Sequence, residues 1–336
     1  MATNRITSRS GARRRLAVFG AAAVLVVAAV PTGSSAGSSP AVRAWTIHYT
    51  AHNGAERAAV VLLPAWYGPK NNPPLPLVIS PHGRNGTGQG NAKYWGTLPA
   101  VGKFAVINPD GMGRRLALKS YAYRGQIDDL AKMPEFALEA LPWLRIDRSR
   151  IYALGSSMGG HETLMLVARH PLLLAGAVAM DSVTDLNRRY AQLPDTACDS
   201  ACVKRWGKPY GLVLQAAMRE EVGGTPATAP RAYAGRSPLS NAQAIAFSGV
   251  PLQIWWSHKD RIVTDQEHQS GELVRVLEQL DACAPVSTYA GDWEHSKEMK
   301  AGALLPFALK ELGLLPTDAQ ELPTSVHHQA APSCAR

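Results

Sequence analysis

One serine between two glycines, at a point where an apolar strand gives way to a helix, constrains the fold most strongly. Residues 155–159 read Gly-Ser-Ser-Met-Gly, the pattern G-x-S-x-G. The apolar run 151–154 predicts a strand, and residues 158–170 predict a helix. A strand–turn–helix unit of this kind exposes the serine hydroxyl on a strained turn, where only glycine fits two positions to either side. We therefore predict that Ser157 is a nucleophile; an ordinary Gly/Ser turn is the alternative.

Apolar runs alternate with stretches of helical periodicity over most of the chain. Strands are predicted at 45–50, 58–63, 75–80, 104–107, 151–154, 175–180, 251–256 and 286–290, and helices at 127–144, 158–170, 267–280 and 301–312. The first two strands flank Asn53-Gly54, a strong hairpin signal. The expected fold is α/β, with a mostly parallel central sheet, an antiparallel N-terminal hairpin and helices on both faces.

Residues 183–248 interrupt this alternation. The stretch is rich in Arg, Tyr, Pro and Gly, contains no clear strand and falls between two predicted strands. A long insertion of this kind usually forms a lid or a binding element. We therefore expect a catalytic domain over 37–316 with a cap insertion at 183–248, followed by a C-terminal tail over 317–336.

A serine nucleophile needs a histidine base and a carboxylate that orients it. In hydrolases with this elbow the acid and then the histidine follow the serine along the chain. His295 lies in the loop after the last predicted strand, and Asp260 lies in the loop after the strand before it. We predict that these two residues are base and acid. The rival acids are Asp181, Asp185 and Asp265, and the other histidines after the serine are His161, His170, His258, His268, His327 and His328.

Two backbone N–H groups should stabilise the oxyanion. One is expected from Met158, directly after the nucleophile, and the other from the loop 81–88, which contains His-Gly after a strand. We choose Arg84 as the second donor, with Asn85 as its rival. The glycines at 86, 88 and 90 match neither common phosphate-binding pattern, so nucleotide binding is not expected.

The first 36 residues resemble a secretory leader. They contain five arginines and no acid, an apolar run over 16–30, and Ser34-Ser35-Ala36 as a cleavage pattern. The run is short for a membrane span, so we expect a signal peptide over 1–36, secretion and no stable membrane association, with a retained anchor as the alternative. Loss of this segment lowers the net charge from +9 to +4, which does not favour nucleic acid as a partner.

The four cysteines are an even number, which favours disulfides in an exported protein. Three pairings are possible, and we favour Cys198–Cys202 with Cys283–Cys334 because the second pair would attach the C-terminal tail to the domain. The C-x-x-x-C spacing has no second metal-type pair nearby. We expect neither a metal nor an organic cofactor.

Several motifs together resemble the α/β-hydrolase superfamily, and within it exported actinobacterial prolyl-oligopeptidase-like and esterase-like proteins. The similarity spans about 75–312 and rests on His82-Gly83, the segment 110–115, the segment 124–129, the segment 155–161, Lys259-Asp260 and Glu294-His295. The resemblance implies the fold and the triad but no particular substrate. A prolyl oligopeptidase also carries a large N-terminal β-propeller, for which this chain has no room.

The sequence therefore predicts a secreted serine hydrolase that cleaves a small-molecule or polymer ester through an acyl-enzyme on Ser157. A peptidase or amidase of prolyl-oligopeptidase-like type is the first alternative. A catalytically inactive binding protein with the hydrolase fold is the second.

Overall fold

One mixed β-sheet organises the chain. The computed structural model describes residues 41–111, 121–300 and 302–333. The strands are β1 (Val42–Thr50), β2 (Glu56–Pro64), β3 (Leu75–Ile79), β4 (Ala105–Pro109), β5 (Ile146–Ser156), β6 (Gly176–Met180), β7 (Leu252–Ser257), β8 (Val286–Gly291) and β9 (His327–Gln329). Within the described residues they form a single sheet in the order β1-β2-β4-β3-β5-β6-β7-β8-β9. The predicted leader (1–36) and most of the segment 110–115 lie outside the described residues.

The pairing directions confirm the expected mixed sheet. β1 and β2 form the antiparallel hairpin, with Thr50 opposite Glu56 at its turn, and β2 is also antiparallel to β4. The six strands β4, β3, β5, β6, β7 and β8, in their order across the sheet, run parallel to one another. The carboxyl ends of these parallel strands therefore open on one edge, where an α/β sheet collects its functional loops.

Both faces of the sheet are buried, because successive strand residues point to opposite sides. On β3, Leu77 and Ile79 belong to one apolar core, whereas Val78 belongs to the core on the opposite face. β2 divides in the same way, with Val61 on the first face and Val60 on the second. Two-sided burial explains why these strands read as continuous apolar runs in the sequence.

Helices cover both faces. They are α1 (Gly88–Ala92), α2 (Leu98–Gly102), α3 (Arg124–Ala131), α4 (Met133–Ala140), α5 (Met158–Arg169), α6 (Leu186–Gln192), α7 (Ser200–Trp206), α8 (Tyr210–Val222), α9 (Pro230–Arg236), α10 (Ala242–Ala246), α11 (Ser270–Leu280) and α12 (Leu305–Glu311). The helical pattern predicted over 127–144 is two helices, because Pro134 cannot continue a preceding helix and instead occupies the first turn of α4. Among the described residues, no helix combines the length and apolarity that crossing a bilayer requires.

The connection between β6 and β7 is helical. Its helices α6 and α8, with part of α9, contribute to a third apolar cluster that is separate from the two sheet cores and includes Met158, Leu186, Leu214 and Tyr233. The last helix of the connection, α10, packs instead into a sheet core through Ile245. The connection therefore has its own small core, which lies directly against the residue after Ser157.

Part of the predicted C-terminal tail (317–336) joins the sheet as a short strand. β9 pairs antiparallel with β8, with His328 opposite Tyr289. The ring of His328 stacks on Tyr289 at a centroid distance of 4.4 Å, and Tyr289 stacks on Trp255 at 3.8 Å. This column of rings stabilises a strand too short and too polar to be recognised from its own sequence.

The three cysteines that the structure describes are all disulfide-bonded. Cys198 and Cys202 form a disulfide just before α7 and within its first turn. Cys283 is also disulfide-bonded. Cys334 lies outside the described residues, so the predicted Cys283–Cys334 pairing stays a prediction.

Candidate active site

Ser157 occupies the sharp turn between β5 and α5. Its backbone angles are φ 59° and ψ −124°, a combination that L-residues adopt rarely and at an energetic cost. The turn is held in place because the N–H of Ser157 donates to the carbonyl of Met180 on the neighbouring strand, at 2.9 Å. The side chain is thus presented above the N-terminus of a twelve-residue helix, whose dipole favours negative charge there.

The glycines around the serine are required by close backbone approach. A Cβ on Gly155 would lie 2.5 Å from the carbonyl carbon of Gly159, and a Cβ on Gly159 would lie 2.2 Å from the carbonyl oxygen of Pro81. Gly160, outside the five-residue motif, is equally restricted, since its Cβ would lie 2.2 Å from the hydroxyl of Ser182. The elbow is therefore packed against the loop after β3 and the loop after β6.

His295 and Asp260 are in contact. Nδ1 of His295 lies 2.7 Å from Oδ2 of Asp260, whose side chain is fully buried, while the imidazole is 14% exposed. The other carboxylate oxygen accepts from the N–H groups of Ile262 and Val263, at 2.8 and 2.9 Å. Gln266 Nε2 lies 3.3 Å from Oδ2. Asp260 is thus held as a hydrogen-bond acceptor facing one nitrogen of the imidazole.

Asp181, the principal rival acid, is committed to other partners. Its two oxygens accept from the N–H of Ser257 and from the indole Nε1 of Trp293, each at 2.9 Å. Burial, followed by the nearby charges of Glu298 and Asp260, raises its pKa well above the usual carboxyl range. Asp181 therefore supports the loop that carries His295 by accepting a hydrogen bond from Trp293 of that loop.

The two remaining rival acids, Asp185 and Asp265, have other partners. Asp185 caps α6 by accepting from the N–H groups of Asn187 and Arg188. Asp265 forms ion pairs with Arg188 at 3.1 Å and His268 at 2.6 Å. Their local partners account for both carboxylates without any contact to His295.

Several other histidines that follow Ser157 in the chain contact groups outside the candidate active site. His161 is buried on α5, where Nε2 lies 2.6 Å from the carbonyl of Arg236, and burial lowers its pKa to about 4. His170 and His268 pair with local carboxylates, and His327 and His328 lie on β9. His161 is thus a core residue.

The loop after β3 lies beside Ser157. A Cβ on Gly83 would be 3.7 Å from the Cβ of Ser157. Nε2 of His82 accepts from the N–H of Gly111 at 3.1 Å, so its Nδ1 carries the proton and donates to the carbonyl of Gly83 at 2.7 Å. The sequence indicated His82 only as part of a motif; its role in fixing this loop becomes visible in the structure.

The side chain of Arg84 points into the cap rather than to solvent. It forms a bidentate pair with Glu221 of α8, with both N–O distances 2.7 Å. Its guanidinium also lies over the ring of Tyr121, 4.8 Å from the centroid. The rival donor Asn85 has φ 62°, and its amide donates to the hydroxyl of Tyr210 at 2.8 Å. Both residues therefore tie the loop beside Ser157 to neighbouring elements.

The elbow, the histidine loop and the loop after β3 all border one cavity of about 280 Å³. Ser157 and His295 line it together with Gly83 and Arg84. Its other walls include the apolar side chains of Met158, Val183, Leu214, Ile262, Val263 and Met299 and the phenol rings of Tyr94, Tyr121 and Tyr210. Residues of the cap thus form one side of a small cavity at the serine, with more apolar than polar surface.

A buried acidic pair lies next to Ser156, the residue before Ser157, and was not recognised from the sequence. The hydroxyl of Ser156 donates to Oε1 of Glu298 at 2.6 Å, and the buried carboxyl group of Glu298 lies close enough to Asp181 for the two groups to act on each other electrostatically. Burial raises the pKa of both carboxyl groups, which allows the pair to share a proton. No local sequence signal places Glu298 here, because it acts 142 residues away from its partner serine.

One group of side chains has the composition of a metal site. Ligand atoms of Asp181, Asp260 and His295 lie within 4.8 Å of one another. The oxygens of both aspartates already accept backbone or side-chain hydrogen bonds, and His295 directs Nδ1 at Asp260. This arrangement suits proton transfer better than coordination of a cation.

Comparison with known proteins gives the same fold. The model of the prolyl oligopeptidase family matches residues 105–211. The S-formylglutathione hydrolase of Staphylococcus aureus is 16% identical, with a TM-score of 0.57, over 81% of this chain and 98% of its own. The Pyrococcus horikoshii acylaminoacyl peptidase is 17% identical, with a TM-score of 0.59, over 77% of this chain and 38% of its own. A puromycin-hydrolyzing peptidase of Mycobacterium tuberculosis is 18% identical, with a TM-score of 0.57, over 80% of this chain and 38% of its own.

These similar structures include an S-formylglutathione hydrolase and two peptidases, and the match spans less than half the length of the peptidases. The family match covers the strand before Ser157, the elbow itself and the start of the cap. The sheet order, the elbow and these likenesses together show that the chain has the α/β-hydrolase fold, with a match to the prolyl oligopeptidase family over residues 105–211.

Proposed function

We propose that the chain is an exported carboxylic ester hydrolase that uses Ser157 as nucleophile, His295 as general base and Asp260 as the orienting acid. The observation that carries the proposal is the 2.7 Å contact between His295 Nδ1 and Asp260 at the wall of the cavity that Ser157 lines. With Nδ1 donating to the carboxylate, Nε2 is left as the acceptor that a base requires.

The reaction proceeds through an acyl-enzyme. The hydroxyl oxygen of Ser157 attacks the ester carbonyl carbon while His295 takes its proton, giving a tetrahedral oxyanion. His295 then protonates the leaving alcohol as the C–O bond breaks. A water molecule repeats the sequence on the acyl-serine and releases the carboxylic acid.

The oxyanion is stabilised by the N–H groups of Met158 and Arg84. Met158 is the first residue of α5, so its N–H lies at the helix N-terminus directly after Ser157, where the helix dipole favours negative charge. The ties of Arg84 to Glu221 and of His82 to Gly83 support this assignment, because they fix the loop before substrate arrives. Prearranged donors of this kind contribute more than donors that must reorganise.

The cavity supports a small ester. Its volume of about 280 Å³ is at the low end for a ligand site, and its walls are mostly apolar side chains and phenol rings. A short acyl group fits this space, whereas a polypeptide would need an open groove. A serine peptidase is the second candidate, favoured by the prolyl oligopeptidase family match over 105–211.

We expect p-nitrophenyl butyrate to be hydrolysed with a kcat/KM at least about 100-fold above that of aminoacyl p-nitroanilides, because the small capped cavity favours short acyl groups and an anilide is a harder bond to cleave. Initial rates on an ester series of increasing chain length and on a set of peptide anilides measure this. Longer acyl chains should be hydrolysed progressively more slowly. Faster turnover of an anilide than of every ester would favour the peptidase.

Export is supported by the leader-like sequence over 1–36 and by the Cys198–Cys202 disulfide, which is typical of oxidising compartments. We predict that the protein secreted by its native host lacks about the first 36 residues and that its intact mass is four hydrogens below that of the reduced chain. Mass spectrometry before and after reduction measures both quantities. Four free thiols, or an intact N-terminus, would contradict this prediction.

A further inference from the structure

A buried arginine of the cap faces the cavity. Arg189 lies within α6, is 2% exposed and lines the same space as Ser157. Two of its guanidinium nitrogens, Nε and Nη1, have no hydrogen-bond partner among the described residues. A buried cation with unused donors is costly, so its retention in a cavity wall calls for a ligand that completes it.

No acidic side chain of the described residues pairs with this cation. Within that part of the chain, Arg189 forms no ion pair within 4.0 Å, although the more distant charge of Asp260 acts on it. The residues that the structure does not describe contain no Asp or Glu, so no acidic side chain is hidden among them. The phenol of Tyr121 lies beside Arg189 and acts on it electrostatically, but it is not a carboxylate.

The other arginine of the cavity wall, Arg84, differs from Arg189 because it has a carboxylate partner. Arg84 is matched by Glu221 through two short hydrogen bonds, so that pair adds no net charge to the cavity. The charge of Asp260 is likewise shared with His295 and two backbone N–H groups. Among the described residues of the wall, Arg189 is therefore the cation whose charge is not matched by a contacting carboxylate.

We propose that Arg189 is a specificity residue that binds a carboxylate of the substrate, so that the preferred esters carry a free acid group. This inference rests on the proposed esterase function and deepens it. A planar carboxylate can accept from two guanidinium nitrogens at once. A single negative charge suits the site better than a phosphate dianion, because Asp260 already contributes negative potential nearby.

The test uses two pairs of matched esters, each pair differing only in a carboxylate against its neutral amide. Monomethyl glutarate and methyl 4-carbamoylbutanoate place the charge on the acyl side, and acetoxyacetate and 2-acetoxyacetamide place it on the alcohol side. For wild-type enzyme we expect kcat/KM to favour the carboxylate by about tenfold or more in one of the pairs, since hydrogen bonds to charged groups are the strong ones. The pair that shows the preference identifies whether Arg189 binds a carboxylate on the acyl side or on the alcohol side of the ester.

Variants of two neighbouring arginines separate this role from a general effect of charge. Arg189→Met should reduce the preference ratio to about one, and Arg189→Lys should keep an intermediate ratio because the ammonium retains the charge without the bidentate geometry. Arg188→Met is the matched control: it removes the adjacent arginine, which is exposed and paired with Asp265, and should keep the wild-type ratio. An Arg189→Met ratio equal to wild type, or no preference in either pair, would overturn the proposal.

A binding measurement keeps the inference separate from the esterase proposal. In the Ser157→Ala variant, calorimetry should show the preferred carboxylate ester binding at least about tenfold more tightly than its amide, and the added Arg189→Met change should remove that difference. If no ester is cleaved by wild-type enzyme, the esterase proposal fails while this comparison still decides the role of Arg189. Equal binding of acid and amide, or no binding of either, counts against the role of Arg189.

Discussion

Replacement of Ser157 by alanine is expected to lower kcat for ester hydrolysis by about 10⁴-fold or more. The reason is chemical: alanine keeps the Cβ and the turn but lacks the oxygen that bonds to the acyl carbon. The backbone already holds φ 59° at this position, so the substitution adds no new conformational demand and the protein should fold normally. Rates on p-nitrophenyl butyrate, with circular dichroism to check folding, measure the effect.

The adjacent serine provides the control. Ser156 is buried and donates to Glu298, so Ser156→Ala should lower the free energy of unfolding by about 1–3 kcal/mol through an unsatisfied acceptor, while keeping most of the activity. A fluorophosphonate probe should label wild type and Ser156→Ala but not Ser157→Ala. A Ser157→Ala protein with a tenth of wild-type activity would mean that the nucleophile is another residue, and an unlabelled, inactive wild type would favour a hydrolase-fold binding protein.

Replacement of Asp260 by asparagine is expected to lower kcat by about 10³–10⁴-fold near pH 8. The N–H groups of Ile262 and Val263 already point at one oxygen of Asp260, so the amide oxygen of the variant takes that position. Its NH₂ group then faces Nδ1 of His295 as a donor. His295 must turn its acceptor nitrogen toward this introduced amide and present a protonated Nε2 to the serine, which is the wrong tautomer for a base.

Asp181→Asn is the matched comparison, because both aspartates are buried beside the same histidine loop. The asparagine has only one side-chain oxygen, so it can accept from either the Ser257 N–H or the Trp293 Nε1–H but not from both. The other donor is left without an acceptor. We expect a stability loss of about 1–3 kcal/mol and less than about a tenfold loss of kcat. The reverse ranking would assign the acid to Asp181. If kcat falls only slightly in both variants, His295 is not the general base or does not need either carboxylate.

The sequence predicted the fold well wherever a residue's role is set by its near neighbours. The elbow at Ser157, the two-sided burial of the central strands and the hairpin at Asn53-Gly54 all follow from local patterns, and the structure has each of them within a few residues of the predicted bounds. The contact between His295 and Asp260 was expected for a similar reason, since the carboxyl ends of neighbouring parallel strands meet at one edge.

The features that sequence reasoning missed are contacts between distant parts of the chain. Glu298 meets Ser156, Arg84 meets Glu221, and β9 pairs with β8 although helix α12 lies between them in the chain. None of these residues differs in type or spacing from an ordinary surface residue. Arg189 carries no local signal either, because the sequence does not reveal which side of a short helix the fold will bury.

The short strand at the C-terminus has a consequence for the colloidal behaviour of the protein. An uncovered edge strand is a template on which a second molecule can add its own strand, and β8, which leads into the loop of His295, would be such an edge without β9. β9 is itself only three residues long, and all three are exposed and polar. The chain thus ends its sheet with a segment too short to recruit another molecule, and removal of that segment would expose a longer, partly apolar strand to self-association.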